Sequence, residues 1–241
     1  MKYRKLLIGL VLWEGFVWFG YNGHLFRPQI WVLFDEKTIY EGHYLGGAYF
    51  NTGNYMLVLA ITSVIAIEYC TKGEGVQMLV RHRSRSDFVC KRLQTLVIVS
   101  IMYTIIHFAM GYALSLHIFQ AEYVLNERTG LFYAVSAPTL LLFFLRVNIV
   151  YILLRDFINR RILAIAGILG ISLLELFVGY YVFDDNWFPC KDLDIGALAY
   201  LGRLGDIGFA LVIIRQVGLT VIAAIISHKW FEHKDVMQIE N

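Results

Sequence analysis

Residues 52–115 decide the fold: TGNYMLVLAITSVIAIEYC (52–70), then TKGEGVQMLVRHRSRSDFVCKR (71–92), then LQTLVIVSIMYTIIHFAMGYALS (93–115). Two apolar runs, each long enough to cross the roughly 30 Å hydrocarbon layer as a helix, flank a short basic connector. The connector carries Lys72, Arg81, Arg83, Arg85, Lys91 and Arg92. Lys and Arg in short loops are retained on the cytoplasmic side, so this connector is predicted to face the cytoplasm. Its placement fixes the orientation of every other segment.

The pattern repeats along the chain. Of 241 residues, 58% are hydrophobic and only 17% charged, and the net charge is +2. The mean hydropathy is +0.59. That composition excludes a soluble globular domain and marks an integral membrane protein. Six apolar segments are predicted to span: 6–22, 52–70, 93–118, 130–154, 161–184 and 206–227. They leave no room for a separate soluble domain, so residues 1–241 read as one transmembrane domain. With the N-terminus inside, 14 of the 21 Lys and Arg residues fall on the cytoplasmic side, including Lys2, Arg4, Lys5, Arg155, Arg160, Arg161, Lys229 and Lys234. Both termini are therefore expected to be cytoplasmic.

MKYRKLLIGLVLW at the N-terminus resembles the first two regions of a signal peptide, but Trp13, Glu14 and Trp18 interrupt it and no cleavage site follows. It reads as a retained first span. In the first outer loop, Ile30-Trp31-Val32-Leu33-Phe34 is too short to cross. It is either an interfacial helix or a lid over an outward-opening cavity. The last outer loop places Trp187-Phe188-Pro189 and Tyr200 at interfacial positions, and Asp184, Asp185, Asp192, Asp194 and Asp206 make that face acidic. Pro138 is a candidate kink in the fourth span, and Gly167-x-x-Gly170 a close-packing face in the fifth. Cys70 and Cys90 lie inside and Cys190 outside, which predicts no disulfide. A phosphate-cradling loop and metal-ligand spacings are absent from the sequence, so no cofactor, metal or nucleotide hydrolysis is expected on this chain. Nucleic acid is not an expected partner.

Within the connector, Val76, Leu79, Val80, Phe88 and Val89 fall roughly on one helical stripe, with Arg81, Arg85 and Arg92 away from it. This predicts an amphipathic helix along the inner membrane surface, either bound to anionic lipid alone or docking on a protein. Its residue order resembles the permeases of six-span ABC exporters. An acidic residue ends a span (Glu68), a turn follows (Glu74-Gly75), and then come Leu79, Arg81, Ser84-Arg85 and Lys91. The stretch Met78-Leu79-Val80-Arg81-His82-Arg83-Ser84-Arg85 looks closest to Gram-positive peptide or bacteriocin export and immunity permeases. The departures are Gly75-Val76 where Gly-Thr is usual, a missing Pro before the Ser-Arg pair, and a shorter Gly-to-Ser spacing. The resemblance implies that this segment is the coupling helix that docks on separately encoded ATPase subunits, which would hold the ATP and magnesium. It also implies pairing with a second permease copy or paralogue, a peptide cargo, and a bacterial cell membrane.

Charges within spans are costly and each needs a reason. Counting about 1.5 Å of rise per residue from the cytoplasmic end puts Glu14 and Arg146 at about 12 to 14 Å. Glu175 and Arg215 fall near the midplane, at about 18 to 21 Å by the same count. The paired levels predict Glu14–Arg146 and Glu175–Arg215 contacts, either fixing helix register or forming a gate together with His107. The alternative function is a stand-alone immunity or sensor protein that binds a toxin or signal without an ATPase.

Overall fold

The computed structural model describes residues 2–45, 48–72, 85–182 and 188–233. Among these residues every element is helical and no strand occurs. Six helices are long and apolar enough to cross a membrane: Tyr3–Phe26, Asn54–Thr71, Ser86–Ile118, Glu127–Ile158, Arg161–Val182 and Ile207–Phe231. The chain is an all-helical, multi-pass membrane protein. Glu74, Gly75, Leu79, Arg81 and Ser84, which the sequence resemblance assigns to coupling, lie outside the described residues. The third-span helix starts earlier than expected, at Arg85, so Phe88 and Val89 belong to it. They pack on Phe231 of the sixth span rather than along a membrane surface.

The fourth span is the spine, touching the second, third, fifth and sixth spans. Asn126 caps its start by accepting a hydrogen bond from the Arg128 amide. Pro138 sits inside it without ending it. Asn159 stops it in a left-handed conformation (φ 57°), which asparagine tolerates better than most residues. The fifth span then starts at once at Arg161, where Gly167 lets the side chain of Leu154 approach closely while Gly170 faces open space. The first helix starts and the sixth finishes at the same end of the bundle, called here the terminal end. There Phe157 meets Trp230 with ring centroids 5.1 Å apart.

At the far end two connecting segments fold back among the spans. One runs through the helix Glu36–Leu45 and the short turn Ala48–Phe50, the other through Pro189–Asp194 and the helix Ile195–Tyr200. They meet where Tyr44 and Tyr200 stack at 5.6 Å. Tyr200 is therefore buried, not interfacial as the sequence predicts. Two glycines permit these approaches. A Cβ on Gly111 would lie 2.6 Å from the Phe50 ring, and one on Gly196 would collide with Ser136 and Phe132. The helix Pro28–Leu33 keeps Val32, Leu33 and Phe34 exposed, as an interfacial helix does. Beneath it lies a groove of about 340 Å³ lined by Ile30, Phe34, Thr38 and His43.

Candidate functional site

Two polar centres stand out, one deep in the bundle and one at the terminal end. The deep centre brings together Glu14 of the first span, Tyr49 of the folded-back segment and His107 of the third span. The Tyr49 hydroxyl donates to Glu14 Oε2 at 2.8 Å, and His107 Nδ1 lies 3.1 Å from the same oxygen. The Tyr49 and His107 rings stack at 4.5 Å. Glu14 and His107 are both fully buried. Next to this centre, Asn54 opens a π-helical turn (Asn54–Leu59) and donates to the carbonyl of Tyr49 at 2.7 Å. Such turns inside α-helices are frequent at functional positions.

The predicted pairings of intramembrane charges are corrected. Arg146 pairs with Glu175 at 3.0 Å, bridging the fourth and fifth spans. Arg215 pairs with Asp192, its Nε donating at 2.9 Å, and Gln216 adds a bond to the same carboxylate at 2.8 Å. Glu14 pairs with His107 instead of Arg146. The fourth helix runs to Ile158, four residues beyond the predicted boundary of 154. That extension puts Arg146 about 18 Å from the terminal end, level with Glu175 at about 21 Å. Asp192 is buried by the folded-back segment, so the far face is less acidic than the sequence predicts.

The terminal centre is organised around the fourth span's last turn. Glu68, closing the second span, accepts from the Tyr151 hydroxyl at 2.7 Å and from Arg155 at 3.1 Å. Its other oxygen lies 3.0 Å from Arg161 Nε. Arg155 also donates to Thr71 at 2.7 Å. Arg92, two turns into the third-span helix, makes a two-pronged contact with Asp156 at 2.7 and 3.1 Å, between the rings of Phe88 and Phe231. Lys91 is exposed and lies 3.4 Å from Asp87, one turn away. The sequence reading missed Tyr49, Arg92, Tyr151 and Asp156 as partners. The adjacent Arg155-Asp156 pair beside the connector's own charges was the available signal.

A third buried cluster near the far end has a pH signature. His43 Nδ1 lies 3.1 Å from Asn22 Oδ1, and its Nε2 faces Ser115 Oγ at 3.4 Å. The Asn22 amide nitrogen donates to the Trp18 carbonyl, so Oδ1 must accept and His43 carries its proton on Nδ1. Burial, with some help from His24, pushes the His43 imidazole down to about 3. Below about pH 6.5 the unfolded chain takes up a proton that folded His43 refuses. Stability is therefore intact above pH 6.5 and falls at up to about 1.4 kcal/mol per pH unit as the pH drops toward 3. Thermal unfolding in detergent between pH 7 and 5 should show this slope, and His43→Gln should flatten it.

Comparison with protein-family models, with curated proteins and with solved structures gives no match for the chain.

Proposed function

We propose that the chain is the permease subunit of an ATP-driven, ABC-type exporter, with residues 73–92 docking on a separately encoded ATPase. The observation that carries this reading is the bracketing of the connector. Glu68, just before it, and Arg92, at its end, are both tied to consecutive residues of the fourth span, Arg155 and Asp156. A soluble motor can do work on membrane helices only through a segment that does not swivel at its roots. Ion pairs with both partners mostly buried hold those roots, and Arg161 and Phe231 extend the linkage to the fifth and sixth spans. A segment that merely rested on lipid would need no such bracing.

In this reading the terminal end is cytoplasmic, on the strength of its basic residues. Arg81 and Arg85 offer guanidinium forks to an acidic groove on the ATPase. The chain pairs with a second permease, because six spans alone are few for a transport path. The cargo is a hydrophobic or amphipathic peptide, moved out of a bacterial cell or its membrane for export or self-protection. The test is affinity purification from native membranes in mild detergent. The wild-type chain should carry an ATPase with it, and the double variant Arg81→Glu/Arg85→Glu should lose at least about tenfold of that activity, the loss that about 1.4 kcal/mol of docking energy produces. An undiminished yield with the double variant contradicts the docking role, and no ATPase with either protein favours the stand-alone reading.

A further inference from the structure

We propose that the Glu14–His107 pair is a proton-binding site within the bilayer, the two side chains together holding a proton that offsets the Glu14 charge. The site goes beyond the transport reading and stands whether or not an ATPase joins the chain. It is built from two fully buried side chains on different spans, held 3.1 Å apart through His107 Nδ1 and Glu14 Oε2. Tyr49 steers the same oxygen at 2.8 Å.

Charge decides the occupancy. Among the described residues the only ionic partner of Glu14 is His107. The titratable groups around the pair are Tyr49, Tyr55 and Tyr103, with Asp194 beyond Tyr55 and His43 behind Phe50. None is a Lys or Arg that could neutralise a carboxylate. A bare carboxylate beside a neutral imidazole would leave one uncompensated negative charge in a low-dielectric interior, which is strongly disfavoured. One proton removes that charge, whether it sits on the carboxyl group or makes His107 an imidazolium. When the proton leaves, it passes to water. The carboxylate then remains beside a neutral imidazole whose Nδ1–H still donates to Oε2.

Glu14 Oε1, His107 Nε2 and the hydroxyls of Tyr55 and Tyr103 are buried with no hydrogen-bond partner among the described residues. Nine in ten buried polar groups are bonded, so four orphans around one centre mark a place that handles a polar visitor.

The test uses the full chain in lipid vesicles, with glutamate labelled by carbon-13 and histidine by nitrogen-15. At pH 7 the wild type should show one of two signals: a carboxylic-acid carbonyl band in the infrared, or a histidine with both nitrogens protonated by solid-state NMR. Glu14→Gln assigns the first by abolishing it, and His107→Gln assigns the second. An ionised Glu14 beside a neutral His107 in the wild type overturns the site, and that measurement needs no variant to fold.

Discussion

Replacing Glu68 with leucine is expected to destabilise the protein by about 3 kcal/mol, the lower end of the cost of breaking a buried ion pair from one side. Tyr151 and Arg155 donate to this carboxylate, and the Arg161 guanidinium lies beside its other oxygen. Arg155 is only 11% exposed, so removal of its acceptor leaves a cation largely cut off from water. Its remaining bond to Thr71 and the proximity of Asp156 keep the cost from rising further. Unfolding in mixed micelles of increasing SDS content reads the change. A loss below about 1 kcal/mol would place the pair with solvent-exposed bridges and remove its bracing role.

Arg92→Leu should cost about 3 to 5 kcal/mol, because it deletes a two-pronged contact and takes a buried cation away from Asp156. The side chains are 8% and 14% exposed, which makes this the more buried of the two anchors. Replacing both partners separates geometry from charge. Exchange of a buried ion pair for apolar residues is often close to neutral, so Arg92→Leu/Asp156→Leu should recover most of the loss. A double variant as unstable as the single one would mean that Arg92 acts mainly through its stacking on Phe88 and Phe231. Under the transport reading, the double variant should fold and bind ATPase yet transmit less of its motion. Its ATPase activity should then respond less to added peptide.

The six spans were legible because twenty apolar residues in a row have few other fates in this composition. What the chain does at its far end was not. Asp192, Asp194 and Tyr200 read as outer-loop residues, since a run of acids between spans normally faces water. Only the closeness of Gly196 to Phe132 and Ser136 lets that segment sink into the bundle, and a sequence does not announce which glycine is used this way. The charge pairings failed for a related reason. Depth along a helix follows from counting residues, but rotation about the axis does not, and a four-residue error at Ile158 moved Arg146 level with Glu175. Glu14, His107, Arg146, Glu175 and Arg215 stand out in the sequence as polar groups within spans. Every one of them has a partner, in a different combination from the one that depth alone suggests.

Under the transport reading, the two polar centres divide the labour of an energised membrane protein. The terminal centre would tie the connector to the helices it moves, and the deep centre would hold a proton where small tilts change its surroundings. Both depend on which way the bundle faces. The most direct measurement is therefore labelling of Ser84→Cys with a membrane-impermeant maleimide, in a background of Cys70→Ser, Cys90→Ser and Cys190→Ala. Labelling in inside-out vesicles and none in intact cells is the predicted result. Labelling in intact cells would turn the connector to the outside and contradict the account.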